Sequence, residues 1–338
     1  MADSKSITMK DVAREAGVAL GTVSNVVNGI PVGKNYQRRV EEAIEKLGYH
    51  VNRQAQALRS SQNSSVEVIL PDLHNPFYSM LADCLCRELA DRSRQMLLCL
   101  TGGDPDLEQA YLLQAERQMA GGIICLTDHP DLRIPGDIPI VSIDRVLGPG
   151  IPCVTGDHYS GGYLAAKKLT ENGCKSLAYL RAGSSLPNET DRRRDGFVCA
   201  CADAGLPFES VRVHQDALYS VFGDFIRAHL HDGRPDFDGL FCATDLLALQ
   251  VRRTLEQMDL RVPNDVQIIG YGGLKCFGSQ EFCCSTIVQP VEEMAQLCTD
   301  LILQSSPKKY SCSLQLPVYY AFGGTTADHK LCASFQNE

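Results

Sequence analysis

Along residues 8–28, TMKDVAREAGVALGTVSNVVN, the apolar positions recur at intervals of three and four. Val12, Ala13 and Ala16 share one face of a first short helix, and Val23, Val26 and Val27 share one face of a second. Gly17 lies between them, where a left-handed residue ends one helix and lets the chain turn sharply. Thr8 followed three residues later by Asp11 is a capping-box pattern for the start of the first helix. The second helix then presents Leu20, Gly21, Thr22 and Asn25 outward. Short side chains near a helix N-terminus fit a DNA major groove, so the pair is a helix-turn-helix candidate. The same pattern also fits an ordinary helical hairpin in a core.

Pro31 and Gly33 break the chain before a third helix over 35–47, whose stripe of Val40, Ala43, Ile44 and Leu47 closes a three-helix core and which Gly48 ends. The stretch 52–59, NRQAQALR, is helix-prone but offers only Leu58 as a core-forming side chain; the polar run SSQNSS follows as a linker. A short helix with two Arg, small neighbours and one Leu fits a minor groove, with the Leu wedging a base step. It fits equally a linker helix whose Leu packs back on the head.

From residue 66 the rhythm changes to strand-like apolar runs alternating with amphipathic helical ones. The expected strands are 66–70, 95–100, 122–126, 138–143, 177–181, 210–213, 239–243 and 267–271. The expected helices are 76–92, 106–119, 159–172, 191–204, 222–229 and 245–258. Two rounds of βα repetition predict two parallel-sheet α/β lobes, with ligands bound beyond the carboxyl ends of the strands in a cleft between them.

Charge sharpens the division. The chain of 338 residues carries a net charge of -9, yet residues 1–62 hold nine Lys and Arg against six Asp and Glu. A basic head on an acidic body suits a DNA-binding head with the body kept off the phosphates. The polar start MADSKSITMK has no secretory core and no apolar run reaches the length of a membrane span, which predicts a cytoplasmic protein. Fifteen Cys then read as free thiols of a reducing compartment, mostly small buried hydrophobes. The close pairs Cys84/Cys86, Cys199/Cys201 and Cys283/Cys284 lack zinc spacing, so neither metal nor cofactor is expected.

The segments KDVAREAGV with TVSNVVNG, VEEAIEKLGYHVNRQAQALRS, PDLHNPFY, IPIVSIDR, DRRRDGF, ATDLLAL, LRVPNDVQIIGY and TIVQPVEEMA occur in an order and at a spacing that resemble the lactose-repressor family of bacterial transcription regulators over nearly the whole chain. The resemblance implies an α/β protein with a three-helix helix-turn-helix head (1–50), a hinge helix and linker (51–64), and a two-lobed body resembling periplasmic sugar-binding proteins. One lobe is 65–158 with 290–319 and the other 159–289 with 320–338. It implies a homodimer whose two heads read a pseudo-palindromic operator, whose hinge helices pair in the central minor groove, and whose grip a small sugar-like or sugar-phosphate-like effector in the cleft alters.

Carried over residue by residue, Leu20, Gly21 and Asn25 take the base-reading positions, with Asn suited to adenine. Thr22 and Ser24 fall to phosphate contact or local capping. Thr8, Asn28 and Tyr36 in the head, and Asn52, Ala55, Gln56 and Leu58 in the hinge, complete the expected DNA surface. In the body, Asn75 and Phe77 fall in the loop after the first strand, and Arg193 is the ligand-gripping Arg of R-x-x-G-F, although a surface ion pair would also account for it. Thr244 and Asp245 follow a strand of the second lobe, and Leu218 falls where an aromatic often stacks on a sugar. Three departures stand out: Ala19 where a Ser usually caps the second helix, Gly272 where an acidic residue usually binds ligand hydroxyls, and Phe322 in place of an Arg. They leave the identity of the effector open. An α/β enzyme is the main competing class, but the sequence has no G-x-S-x-G, Walker, G-x-G-x-x-G or H-E-x-x-H motif, and His74, His158 and His214 are scattered. A plain solute-binding protein would not carry the N-terminal helices.

Overall fold

The computed structural model describes residues 7–27, 30–49, 65–127, 129, 131–136, 138–183, 186–214, 220–304 and 313–327. Two compact units divide the chain, Met1–Asn63 and Ser64–Glu338.

In the first unit, α1 (Met9–Ala16), α2 (Leu20–Val27) and α3 (Lys34–Leu47) surround a core of Val12, Val23 and Val40, all fully buried, with Ala13, Ala16, Ala43 and Tyr49. The Asp11 carboxylate starts α1 by accepting from the Thr8 amide (3.0 Å) and hydroxyl (2.7 Å). Gly17 ends it at φ 61°, and the Val18 amide reaches back to the Ala13 carbonyl. Arg39 of α3 donates to the Gly17 carbonyl at 3.2 Å, tying the turn to the third helix.

The second unit carries two six-stranded sheets. The first, the N-lobe sheet, contains β1 (Ser65–Leu70), β2 (Gln95–Leu100), β3 (Gly122–Leu126), β4 (Ile140–Ile143), β5 (Cys153–Gly156) and β13 (Ser313–Leu316), in the order β13-β5-β4-β3-β1-β2, all parallel. Helices α4 (Pro76–Asp91) and α10 (Val291–Leu303) bury Leu81, Leu85, Met294 and Cys298 on one face. Helix α5 (Pro105–Arg117) brings Leu112 and Ala115 to the other.

The C-lobe sheet has the order β14-β12-β11-β10-β6-β7: β6 (Leu177–Ala182), β7 (Phe208–Val213), β10 (Gly239–Cys242), β11 (Gln267–Gly272), β12 (Thr286–Val288) and β14 (Tyr319–Ala321). Only β14 runs antiparallel to its neighbour. Helices α6 (His158–Glu171) and α7 (Arg192–Ala204) cover one face; α8 (Ser220–Ala228) and α9 (Asp245–Glu256) cover the other, beside a small hairpin of β8 (Leu230–His231) and β9 (Arg234–Pro235). The chain passes between lobes three times, after β5, β12 and β13. That wiring makes the cleft between the sheets a place where segments from both ends of the unit meet.

The βα alternation read from the sequence is present, and the boundaries move by a few residues. Residues 138 and 139 fall outside β4, β7 starts at Phe208, and residues 189–191 form a single 3-10 turn ahead of α7. The sequence reading assigned no element to β5, β8, β9, β12, α10, β13 or β14. Six of these are strands of two to four residues, too short for a period to register. The stretch 51–64 and the expected contacts Asn28, Asn52, Ala55, Gln56, Leu58 and Leu218 lie outside the described residues.

Candidate functional sites

In the head, α2 buries Val23 and turns Leu20, Gly21 and Asn25 to solvent, with Thr22 and Ser24 half-buried. Nothing lies within 4 Å of where a Cβ at Gly21 would be, so the helix start offers an open surface. Leu20 is 40% exposed and Tyr36, near the start of α3, is 52% exposed. Large side chains left in water on and beside α2 are available for contact, whereas Thr8 is committed to its cap with Asp11. Ala19 still closes the first turn of α2 through its carbonyl, which accepts from Thr22 (2.9 Å) and Val23 (3.3 Å).

In the body, a cavity of about 420 Å³ opens between the lobes at the carboxyl ends of the strands. From the N-lobe it is lined by Asp72, Asn75, Phe77, Thr127 and Asp144, and from the C-lobe by Arg181, Asn188, Arg193, Thr244 and Tyr271, with Gln289 from the crossover. Asn75 caps α4, accepting from the Phe77 amide at 3.1 Å, and Pro76 begins that helix where its missing N–H costs nothing. Phe77 is thereby pinned in the wall.

At the floor, His158 is buried at the start of α6. Its Nε2 lies 2.9 Å from Asp144 Oδ1, and its Nδ1 lies 2.9 Å from the Tyr271 hydroxyl and 3.2 Å from Arg193 Nε. Tyr271 and Arg193 both point donors at Nδ1, so Nδ1 is the acceptor and Nε2 carries the proton: the neutral ring fits and the cation does not. Burial pushes the His158 pKa down, helped by the nearby Arg193 cation and opposed by Asp144. Burial pushes Asp144 up, but the imidazole, the Arg193 guanidinium and the Thr155 hydroxyl at 2.7 Å outweigh it and hold the carboxyl below its usual range. Asp144 adopts a left-handed φ of 56°, which Asp tolerates better than most side chains.

Arg193 is buried, not part of a surface ion pair. Its Nη1 donates to the Ala243 carbonyl at 2.6 Å and its guanidinium stacks 3.7 Å from the centre of the Tyr271 ring. The sequence pattern R-x-x-G-F explains how it gets there. A Cβ at Gly196 would sit 1.9 Å from the Tyr159 carbonyl oxygen, and one at Gly162 would sit 1.8 Å from the Arg193 carbonyl oxygen. Two glycines thus let α6 and α7 touch backbone to backbone, which sets Arg193 beside His158.

Two expected cleft residues have another duty. Asp245 and Gly272 border only a small recess of about 20 Å³ beside the main cavity. The Asp245 carboxylate is spent on the framework: it accepts from the Thr286 hydroxyl at 2.6 Å and the Leu274 amide at 2.7 Å, with the Cys284 thiol at 3.5 Å. Burial raises its pKa and these donors oppose the rise. Gly272 has φ 141°, and its Cβ position lies 3.1 Å from Asp245 Oδ2, so an acidic side chain there would press on this carboxylate. Phe322 is 44% exposed just beyond β14.

The sequence reading missed His158, Asp144 and Tyr271 as a unit, along with Arg181 and Gln289. Arg181 is buried and paired with Asp191, its Nη2 donating to Thr190 at 3.1 Å. The motifs IDR and IIGY contained Asp144 and Tyr271, but only the folded lobes bring them to one histidine. Among the described residues no three His, Cys, Asp or Glu side chains gather as a metal site would need, and no helix is long and apolar enough to cross a membrane.

Comparison with known proteins agrees with this geometry. Residues 63–309 match the family of periplasmic binding proteins and the sugar binding domain of the LacI family, and residues 8–52 match the bacterial regulatory proteins of the lacI family. The chain is 30% identical over 325 residues to the ribose operon repressor of Bacillus subtilis, covering 94% of this chain and 98% of that one. It is 29% identical over 312 residues to the sucrose operon repressor of Streptococcus mutans, covering 89% and 95%. Among solved structures it is similar in fold to the lac repressor dimer bound to operator and the anti-inducer ONPF, with TM-score 0.78 and 21% identity over 96% of this chain and 100% of that one. With one family model spanning the body and the other the head, the chain belongs to the LacI family of bacterial regulatory proteins and is a DNA-binding regulator of transcription.

Proposed function

We propose that this regulator is a cytoplasmic repressor without catalytic activity, which binds a pseudo-palindromic operator as a homodimer and changes its grip when a small sugar-like or sugar-phosphate-like molecule occupies the cleft. The observation that carries this reading is the cavity of about 420 Å³, walled by both lobes and floored by a polar network that joins them. A ligand touching Asp144 from one lobe and Arg193 or Thr244 from the other gains more from one lobe arrangement than another. That differential affinity is the only means by which it can shift the equilibrium.

The reading divides the chain into a head over 1–50, a hinge over 51–64, an N-lobe over 65–158 with 290–319 and a C-lobe over 159–289 with 320–338. Leu20, Gly21 and Asn25 read base edges; Thr22, Ser24 and Tyr36 contact phosphate and sugar; Leu58 wedges the central step. Asn75, Phe77, Arg193 and Thr244 meet the effector, while Asp245 and Gly272 shape the recess behind it. The operon repressors to which the chain is similar are named for ribose and sucrose, which supports a polyhydroxylated ligand.

The test has two stages on the purified full chain. Selection from random duplexes at moderate salt should return a motif with two-fold symmetry. A thermal-shift screen of sugars, sugar phosphates and nucleobases should raise the melting point of the body by mass action, and the hit should change operator affinity. Failure to select any sequence, with or without the candidate ligands, would overturn the reading.

A further inference from the structure

We propose that Cys276 and Cys283 form a redox-active dithiol that hydroperoxides close to a disulfide, and that closing it clamps a hairpin at the edge of the cleft. Their Sγ atoms lie 3.4 Å apart, and both side chains are half-exposed. Among the described residues no other two thiols hydrogen-bond to each other. Most remaining cysteines are buried, and Cys86, the exposed one, has no such neighbour.

The backbone holds the two sulfurs together. Lys275 and Phe282 pair as an antiparallel bridge, the Cys276 amide donates to the Glu281 carbonyl at 2.8 Å, and the Cys283 amide donates to the Leu274 carbonyl at 2.9 Å. On either side of this bridge the two Cys share one face, and Lys275 and Phe282 share the other, where the ammonium lies 5.9 Å from the ring centre. The bridge therefore presents one thiol to the other before any oxidant arrives. At its base, Leu274 borders the recess beside the cavity and donates its amide to Asp245, so a constraint on the hairpin bears on that hub.

The chemistry balances with the peroxide as sole co-reactant. The Cys276 thiolate attacks an oxygen of the peroxide; the S–O bond forms, the O–O bond breaks, and the departing oxygen leaves as water or an alcohol once protonated. Cys283 then attacks the sulfenic sulfur; the S–S bond forms, the S–O bond breaks, and the oxygen leaves as water with the thiol proton. The two sulfurs together lose two electrons and the peroxide gains them. Burial, with the adjacent Cys276 thiol and Asp245, pushes Cys283 up to about 11, which keeps it protonated and disfavours it as the attacking thiolate of the first step. The bond closes a ring over residues 276–283, and a dithiol reductant reopens it by thiol–disulfide exchange.

The experiment treats the reduced full-length protein with hydrogen peroxide, blocks free thiols and maps tryptic peptides. Cleavage at Lys275 and Lys308 leaves Cys276, Cys283, Cys284 and Cys298 on one peptide. The expected result is loss of two thiols per chain and a peptide that carries two blocking groups where the reduced control carries four and, those groups aside, is lighter by about 2 Da, restored by dithiothreitol. The change should persist in Cys284→Ser and vanish in Cys276→Ser and Cys283→Ser. Amide exchange across 273–285 should slow in the oxidised form. A bond to Cys284 or Cys298, a cross-link between chains, over-oxidation to sulfinic acid without a disulfide, or unchanged exchange would each overturn the proposal. None of these readouts involves DNA or an effector, so its failure is distinguishable from failure of the reading above.

Discussion

His158 Nε2 lies 2.9 Å from Asp144 Oδ1, and this contact joins the end of an N-lobe strand to the helix that opens the C-lobe. The other ring nitrogen takes hydrogen bonds from Tyr271 and Arg193, so a single imidazole is shared by both lobes. Asp144, Arg193 and Tyr271 also border the cavity. Any molecule that binds there by hydrogen bonds to these groups competes with, or completes, the contacts that set the lobes against each other.

The buried neutral His158 makes the body sensitive to acid. Its folded pKa lies below the ordinary 6.5, so between those two values the unfolded chain binds more protons than the folded one. The stability it contributes is fully present above about pH 6.5 and is lost as pH falls through the depressed value. Asp144, also depressed, acts in the same direction in a lower window, below 3.8. The thermal midpoint of the body should fall between about pH 7.5 and about pH 5.5. His158→Gln, which does not take up a proton, should flatten that slope even if it lowers the midpoint overall. An equally steep profile in the variant would place the acid sensitivity elsewhere.

How much of this was legible in the sequence follows from what each signal depends on. The three helices of the head and the βα rounds of the body rest on local periodicity, which Val12, Val23 and Val40 or Val68 and Ile124 display without help from distant residues. Arg193 was legible through its motif, since Gly196 one turn on is what lets α7 approach α6. The pairing of His158 with Asp144 and Tyr271 was not, because the partners lie 14 and 113 residues away in sequence and no local rule joins a lone His to either. Asp245 illustrates another limit: the motif places it at the cleft edge, where it borders the small recess, and its partners Thr286 and Leu274, invisible to the motif, engage its carboxylate.

Asp245→Ala should therefore act on stability more than on ligand contact. It leaves the Thr286 hydroxyl and the Leu274 amide without their acceptor, and each buried donor so orphaned costs about 1–3 kcal/mol. Denaturant unfolding of the body should show a midpoint lowered to match, and Asp245→Asn, whose oxygen still accepts, should recover much of the loss. A stable Ala variant that has lost only effector affinity would return Asp245 to the ligand's contacts.

Arg193→Ala should weaken effector binding at least tenfold, since a hydrogen bond to a charged group contributes about 1.5–3 kcal/mol. His158 keeps the Tyr271 hydroxyl as a donor, so the fold should survive, and operator binding without effector should be unchanged. Titration calorimetry with the ligand found by thermal shift reads the first, and a duplex-binding titration reads the second. Wild-type effector affinity in the variant would show that its guanidinium serves only Ala243, Tyr271 and His158.

Gly162→Ala tests whether helix contact positions the cleft. The added methyl would meet the Arg193 carbonyl at 1.8 Å, so α6 and α7 must separate, at a cost of about 1–3 kcal/mol or more for such overpacking. The variant should unfold at lower denaturant and lose effector affinity together, because Arg193 moves with α7. Gly21→Ala is the contrast: nothing lies within 4 Å of its Cβ position, so stability should hold or rise. If the Gly162 variant matches the wild type in both unfolding and ligand affinity, the close approach of the helices has no bearing on the site.

Asn25 offers the sharpest test of the head, because base reading and phosphate contact leave different marks. An exposed amide on α2 can pair with both N6 and N7 of an adenine, and such a pair discriminates by about 1–3 kcal/mol. Asn25→Ala should thus relax preference at one base pair in each half-site while the rest of the selected motif is kept. The salt dependence of binding should be unchanged, since an amide neutralises no phosphate. Parallel selections from random duplexes with wild type and variant make the comparison. A uniform loss of affinity with the same motif would assign Asn25 to the backbone, and base recognition would then fall to Leu20 and its neighbours at the open start of α2.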